Sequence, residues 1–561
     1  MKSRWNVAIP SISLPSLIFG NQDKSLPDTP AYIDAEQPDL LHLSFPEYAL
    51  WSRRIAAGLI RRGLQPQDRV LVYSGNNILF PVVFMAVVMA GGIITTANPA
   101  YVARELAYQL RDSDAQFLLL AESSLSTALQ AAKEIGYSHD KMFIFDDAPL
   151  LGQGMDVGTV RHWKYLIESP ENGRAFRWEE GTSSEFVNRT VAILYSSGTT
   201  GIPKGVEITH YNLVANCCQL DYLYNLHPNF RSDEKNTRNQ RLLSALPMYH
   251  GLGLLVYSTV TPYRRLPVYL MKRYNLSAFL NNIQRFRITE LTLVPPMVVA
   301  MAKNPDVKAG KYDLSSVRRV HAGAAPLSRE TCAEFESLFA KGQVNVKQGW
   351  GMTECPTTGL NWDEREESDT QAVGEPVPNC EVKLMNDDGT NEVATGERGE
   401  LWVKAPQLMK GYWKKPEATR ETLTPDGWLK TGDIAFQESN GKFSIVDRKK
   451  ELIKVKGNQV APAELEALLL EHPAVADAGV VGLKIHEDER PLAYIVRKMG
   501  SEVNAQDILR HMCERTAKIK WLCAVHFTKE IPKNPSGKIL RRQLRDKAAA
   551  EFANAPLRAS L

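Results

Sequence analysis

The sequence predicts an α/β protein. It should have a large N-terminal domain of parallel sheets covered by helices, a small β-rich subdomain, and a smaller α+β C-terminal domain. Three observations carry that prediction. At 561 residues the chain is too long for one compact core, so a large domain plus at least one smaller one is expected. Helix and strand signals alternate up to about residue 350, the rhythm of parallel strands joined by helical crossovers. From about Glu381 the texture changes to short strands separated by turn signals such as "NDDGT", "TPDGW" and "ESNGK".

The elements follow in order. In "SFPEYALWSRRIAAGLIRRG", Ser44 can cap a helix with Glu47 three residues on, and Gly63 follows its end. Tyr48, Trp51, Ile55 and Leu59 fall on one face of that helix, which should pack on a sheet. Arg69 to Tyr73, "RVLVY", reads as a buried strand. "ILFPVVFMAVVMAGGII" is too short for the roughly 20 residues of a bilayer span and contains Pro81, Gly91 and Gly92, so a buried helix followed by a strand is expected. "AQFLLLA" and "KMFIF" read as strands with the helix "STALQAAKEI" between them, and His227 to Arg241 as a polar surface loop. The basic run Arg448 to Lys450 marks a domain boundary, giving residues 1–447 and 448–561. Beyond it come the helix "APAELEALLLEH", the strands "ADAGVVGLKI" and "LAYIVRK", and a final helical stretch.

Composition narrows the function. Apolar residues at 44% and charged residues at 23% are an ordinary balance for a folded, soluble protein. A net charge of +3 argues against a dedicated nucleic-acid binder. Seven scattered cysteines without a C-x-x-C pair argue for a reducing compartment and against a disulfide framework or zinc ribbon. The opening "MKSRWNVAIPSISLP" contains prolines and no continuous apolar run, so no signal peptide is expected.

The chemistry is concentrated in "YSSGTTGIPKG", Tyr195 to Gly205, which the apolar strand "TVAILY" enters directly. Gly198, Gly201 and Gly205 let backbone N–H groups approach phosphate oxygens. Ser196, Ser197, Thr199 and Thr200 add hydroxyl donors, and Lys204 a positive charge. The spacing is not that of a Walker loop: two residues separate Gly201 from Lys204, and Gly205 stands where a Ser or Thr should hold magnesium. A flexible Ser/Gly surface loop is the plain alternative. "GWGMTE" adds a lone carboxylate, "TGD" an acid placed for ribose hydroxyls, and "PKNPSGKILRR" a lysine after a Pro-Ser-Gly turn.

Together "YSSGTTGIPKGVEITH", "GWGMTE", "GELWVK", "GYWKKPEATRETLTPDGWLKTGDIA", "DRKKELIKVKGNQVAPAELE" and "NPSGKILRR" resemble, in order and spacing, the adenylate-forming superfamily in its acyl-CoA synthetase and 4-coumarate:CoA ligase branch. The resemblance runs from about residue 40 to 547. It implies an AMP-forming ligase using ATP, Mg²⁺ and coenzyme A. The acid first attacks the α-phosphate and expels pyrophosphate, then the CoA thiol displaces AMP, while a mobile C-terminal domain swings between the steps. A loop that must hold and then release pyrophosphate answers the departure from the Walker pattern.

Position by position, the resemblance implies that Lys538 is the catalytic lysine and Glu354 a Mg²⁺ ligand. Gly323, Ala324, Ala325 and Pro326, with Gln348, Gly349, Trp350, Gly351 and Thr353, would wall the adenine. Asp433 and Arg448 would grip the ribose. Lys450 would be the hinge, Lys454 and Gln459 would turn towards AMP in the second state, and Lys456 and Gly457 would line the pantetheine tunnel. Lys272 corresponds to a CoA-nucleotide contact. His250 matches the gate between acid and CoA, with a satisfied buried histidine as the plain alternative. The acid itself would lie among His250, Gly251, Leu252, Gly323, Ala324, Gly349, Pro356 and Thr357.

The polar Lys-Ser of coumarate ligases is replaced by His321-Ala322, and Gly251 to Leu254 lack their tyrosine, so the wall at the acid's far end reads as apolar. A phenol hydroxyl buried there without a partner would cost roughly 1–3 kcal/mol. A medium- or long-chain fatty acid or an apolar aryl acid is therefore expected. An adenylating enzyme that loads a carrier protein, and a non-catalytic acyl or nucleotide sensor, are the rival classes. The ending Ala559-Ser560-Leu561 resembles the peroxisomal tripeptide S-K-L only weakly, so peroxisome and cytoplasm both stand. No nucleic-acid partner and no transmembrane segment are expected.

Overall fold

The computed structural model describes residues 1–22, 25–196, 203–231, 239–369, 371–455, 458–485, 488–534 and 537–552. Two large sheets organise the N-terminal domain. The first has eight strands, in the order Gly411–Tyr412, Lys204–Thr209, Thr190–Ser196, Ile93–Ala97, Arg69–Tyr73, Ala115–Leu120, Met142–Ile144 and Arg161–His162. From Thr190–Ser196 to Arg161–His162 all neighbours are parallel, while the Thr190–Ser196 and Lys204–Thr209 pair is an antiparallel hairpin. The second has seven strands: Val346–Gln348, Arg319–Ala322, Glu290–Leu293, Leu242–Ser244, Val268–Leu270, Pro30–Asp34 and His42–Ser44. Its neighbours are parallel except for the last pair.

Arg69–Tyr73 shows why the strands read as apolar runs. Val70 and Val72 enter the core that joins both sheets, and Leu71 and Tyr73 enter a second cluster under helices Ala103–Ser113 and Leu125–Ile135. A strand covered on both faces has no polar side to alternate with. The apolar run after Asn77 forms the expected helix, Phe80–Met89, with every residue buried, followed by strand Ile93–Ala97. Helix Phe45–Arg61 starts with the Ser44–Glu47 capping box, worth about 1 kcal/mol. Tyr48, Ile55 and Leu59 are buried and Trp51 is half-buried under the Arg54 guanidinium.

The β-rich part is a four-stranded antiparallel sheet, Glu381–Met385, Gly399–Lys404, Leu429–Gln437 and Phe443–Arg448, with a three-stranded one, Trp350–Met352, Cys355–Asn361 and Glu375–Pro376, beside it. After Arg448 a small hairpin, Ile453–Val455 with Asn458–Val460, leads into the C-terminal lobe. There the long hairpin Val475–Ile485/Asp488–Arg497 and the parallel strand Ala524–Phe527 carry helices Pro462–Glu471, Ala505–Cys513 and Arg541–Phe552. The lobe has its own apolar cores. Among the described residues no helix is long and apolar enough to cross a membrane.

Candidate active site

The motifs converge at the carboxyl ends of the parallel strands, where open α/β sheets characteristically bind ligands. Ser196 ends strand Thr190–Ser196, Ala322 ends Arg319–Ala322 and Gln348 ends Val346–Gln348. Ser197, Gly198, Thr199, Thr200 and Gly201 lie outside the described residues, as do Lys456 and Gly457. The stem of the phosphate loop is described. Ser196 pairs with Lys204 across the hairpin, and the Lys204 ammonium sits 5.0 Å over the Tyr412 ring.

Glu354 faces that stem. Its Oε1 accepts from Ser196 Oγ at 3.0 Å and from Tyr412 Oη at 2.9 Å, in a carboxylate only 5% exposed. Both of these bonds fall on one oxygen and both come from neutral donors, which leaves the carboxylate open to a cation. A hard divalent ion suits such an oxygen donor.

The residues expected to wall the nucleotide lie at strand ends that fix one another. Gln348 donates from Nε2 to the Leu327 carbonyl at 2.9 Å and accepts the Leu327 N–H at 2.7 Å, holding the turn that carries Ala324, Ala325 and Pro326. Ala324 has φ +74°, and the Gly349 N–H closes on the Ala322 carbonyl at 3.0 Å. Gly351 needs to be glycine because a Cβ would land on the Thr357 carbonyl. Thr357 itself holds φ +59°, costly for a β-branched residue and sustained only by its surroundings. Thr353 follows Met352 in the turn between the two strands.

Asp433 and Arg448 are opposite one another across strands Leu429–Gln437 and Phe443–Arg448. Arg448 Nε lies 3.3 Å from Asp433 Oδ1, while Trp350 Nε1 donates to Asp433 Oδ2 at 2.8 Å. Trp350 thus orients the carboxylate from the neighbouring sheet. The lysine comes from the other lobe. Burial and the Arg448 charge hold the Lys538 ammonium below the usual lysine range, while Asp433, Glu451 and Glu354 pull the other way. Lys538 therefore lies within electrostatic reach of Asp433, Arg448 and the candidate metal ligand Glu354.

Its turn is locked locally: Asn534 Oδ1 accepts the Lys538 N–H and Asn534 N–H donates to the Lys538 carbonyl, each at 2.8 Å. Gly537 has φ +81°, and a Cβ there would be 2.7 Å from Pro296 of the large domain. If Lys538 has the adenylation role that the sequence resemblance implies, Gly537→Ala should slow that step about five- to tenfold, because it strains the turn and pushes it off Pro296. Stopped-flow pyrophosphate release checks this; an unchanged rate would remove the docking role.

His250, the expected gate, is the N-cap residue of helix Gly251–Leu255. Burial lowers its pKa to about 4, so the ring is neutral near pH 7, and its buried Nε2 has no hydrogen-bond partner among the described residues. Asn76, buried, holds the preceding loop by donating to the Leu246 and Met271 carbonyls and accepting the Met248 N–H. Gly251 and Leu252 are half-buried and Pro356 is buried. The far wall is not wholly apolar, because His321 Nε2 lies 2.9 Å from Glu364 Oε1, a buried carboxylate flanked by Arg319 and Lys347.

Three candidates stand apart in this lobe orientation. Lys454 is exposed with its N–H on Glu489, and Gln459 Nε2 reaches Asp387 at 3.3 Å. Lys272 is 2.9 Å from Asp147 and 3.8 Å from Asp34, so its charge is answered within the domain. Lys450 lies in the turn closed by the Glu451 N–H on the Arg448 carbonyl. Sequence reasoning missed Asp112, which accepts from Tyr195 Oη at 2.7 Å, pairs with Lys415 at 2.9 Å and takes the Trp413 indole N–H on its carbonyl. Trp413 lies within the motif "GYWKKPEATRETL", but nothing local ties it to residue 112.

The family model "AMP-binding enzyme" matches residues 19–413 and "AMP-binding enzyme C-terminal domain" matches residues 464–538. A 4-coumarate–CoA ligase-like protein of Arabidopsis thaliana is 37% identical over 90% of this chain and 86% of its own. The chain is an adenylate-forming CoA ligase. A peroxisomal OPC-8:0-CoA ligase of the same plant is 36% identical over 92% of the ligase and 90% of its own length. Among solved structures, ATP-bound MatB from Rhodopseudomonas palustris is 26% identical with a TM-score of 0.80, covering 96% of the ligase and 99% of its own chain. Apo MatB aligns at a TM-score of 0.70 with the same coverage.

Proposed function

We propose that this ligase activates a medium- or long-chain fatty acid or an apolar aryl acid, and that the lobe orientation described above is the one that performs adenylation. The observation that carries the reading is the docking of the Lys538 turn, from the C-terminal lobe, at Gly537 against Pro296 of the large domain, within electrostatic reach of Asp433, Arg448 and Glu354. In the first step a carboxylate oxygen bonds to the α-phosphorus and the bond to pyrophosphate breaks. Lys538 meets the negative charge on the carboxylate and α-phosphate as it develops. Asp433 and Arg448 orient the ribose, the Ala324–Gln348 wall carries the adenine, and Ser196 to Lys204 cradle the departing phosphates. When bound at Glu354, Mg²⁺ would neutralise phosphate charge.

In the second step the CoA sulfur bonds to the acyl carbon, AMP leaves with the former carboxylate oxygen, and the thiol proton is released. For this step we propose that the lobe 448–561 turns about Lys450, withdrawing Lys538 and bringing Lys454 and Gln459 towards AMP, with Lys456 and Gly457 along the pantetheine path and Lys272 at the CoA nucleotide. The neutral ring of His250 separates acid from thiol without burying a charge. Gly251, Leu252 and Pro356 favour an apolar acyl group. His321 has its Nε2 engaged by Glu364, which leaves only Nδ1 for a phenol. One relative is a peroxisomal enzyme, which supports keeping the peroxisome beside the cytoplasm as the proposed location.

The test is pyrophosphate release with ATP, Mg²⁺ and a panel of C4 to C18 fatty acids, cinnamates, benzoates and phenylacetates, each with and without CoA. Release that rises with CoA, together with a thioester product, is expected for the apolar members. Release indifferent to CoA would favour carrier-protein loading, and silence across the panel would favour the sensor reading.

A further inference from the structure

Helix Pro462–Glu471 opens the C-terminal lobe without a cap of its own. Its N-cap residue is Ala461, which has no side-chain acceptor, and Pro462 and Ala463 follow. The first N–H groups of a helix must be satisfied from elsewhere, and helices usually carry Ser, Thr, Asp or Asn for that purpose. Here the acceptor comes from the large domain: Asp447 Oδ2 takes the Ala463 N–H at 3.0 Å. Asp447 is 6% exposed and lies in strand Phe443–Arg448, before the hinge turn. Its other oxygen accepts the Arg448 N–H at 2.7 Å.

The same carboxylate is near the Arg541 guanidinium, three residues after Lys538. Arg541 forks onto Glu466 of the capped helix, with Nη2 at 3.0 Å from Oε2, and reaches Glu451 of the hinge turn from Nε at 2.8 Å. Helix, hinge turn and lysine turn thus form one buried unit within the C-terminal lobe. Asp447 meets it from the large domain at the start of the helix, while Lys303 reaches the Leu470 carbonyl near its end at 3.2 Å and Pro296 packs on the lysine turn.

We propose that Asp447 is a positioning residue for adenylation alone, holding the C-terminal lobe in the orientation that seats Lys538 by capping a helix across the hinge. This rests on the function proposed above. A turn of the lobe about Lys450 carries Ala463 away from Asp447, so the cap is made in one state and lost in the other. An ordinary cap stabilises its helix in every state of the protein; this one stabilises the helix only when the lobe is placed for the first step. The charged carboxylate also favours the positive end of the helix dipole.

The test separates the two half-reactions in the full-length enzyme. Adenylation is followed as pyrophosphate release without CoA, and thioester formation starts from supplied acyl-adenylate and CoA. Asp447→Ala should slow adenylation about tenfold, within the range that loss of a helix cap allows, while thioester formation changes less than threefold. Asp447→Asn, which keeps an acceptor, should recover most of the loss.

The double variant Asp447→Ala/Ala461→Asp gives the lobe its own cap. It should restore thermal stability but leave adenylation slow. Equal loss in both half-reactions, or recovery of adenylation together with stability in the double variant, would overturn the proposal in favour of a purely structural cap. Wild-type enzyme run alongside keeps the two ideas distinguishable: if it fails to release pyrophosphate with any acid, the functional reading fails before Asp447 is tested.

Discussion

Lys538→Ala should lower the adenylation rate by about 10²–10³ and leave thioester formation from supplied acyl-adenylate within a few-fold of wild type. The magnitude follows from what one preorganised donor facing developing charge contributes, roughly 3–4 kcal/mol. The selectivity follows from geometry: Lys538 reaches the cleft from a turn tied down within its own lobe by Asn534 and docked at Gly537 on Pro296, and the docking contact is the one that a turn of the lobe breaks. The pH profile should carry a matching signature. Burial and Arg448 disfavour the ammonium, so Lys538 loses its proton below the usual lysine value of 10.5. The cation is the form that stabilises the charge, so adenylation should fall as pH rises through that lowered pKa. The alanine variant should lack that limb. Normal adenylation by Lys538→Ala would dismiss the assignment.

Glu354→Gln should raise the Mg²⁺ concentration needed for half-maximal adenylation by at least about 10–100-fold, the range that even indirect changes at metal sites produce. The amide keeps an oxygen able to accept from Ser196 and Tyr412, so the loop stem should stay in place and thermal stability should change little. High Mg²⁺ should restore part of the rate. Titration with Mn²⁺ followed by paramagnetic relaxation of water, in the presence of ATP, reads binding directly. An unaltered metal requirement would mean that Glu354 serves the loop stem alone.

The strands and helices of the large domain were legible because burial leaves a direct mark on sequence. The helix Phe80–Met89 and the double-faced strand Arg69–Tyr73 are apolar for the reason that they are covered on every side. The site motifs were legible because short glycine-rich stretches follow local backbone demands, as at Gly351 against the Thr357 carbonyl. What sequence did not reveal are long-range partners whose residue types are common.

Asp112 reads as one more surface acid on an amphipathic helix, yet it meets Tyr195, Trp413 and Lys415. Asp447 reads as one more acid just before the basic run Arg448 to Lys450, and its role emerges only when Ala461 is seen to leave a helix uncapped. His321 read as part of an apolar wall because Glu364, 43 residues away, could not be placed beside it. Each of these depends on which distant segment arrives next to the residue, and residue spacing along the chain carries no trace of that.

The short strand Gly411–Tyr412 has a consequence for synthesis of the protein. It pairs with Val206 and Glu207 on the outer edge of the phosphate-loop hairpin, and it brings the Tyr412 hydroxyl to Glu354. On the ribosome the hairpin emerges about 200 residues before its partner. At about 5–20 residues per second that interval is roughly 10–40 s. Throughout it, the edge strand Lys204–Thr209 presents unpaired backbone groups of the kind that invite wrong pairing. Lys204 at the start of that strand and Glu207 on the strand itself put charge on the open edge. A lysine proposed to meet phosphate and a glutamate bonded to Thr190 thus double as guards of a half-made protein.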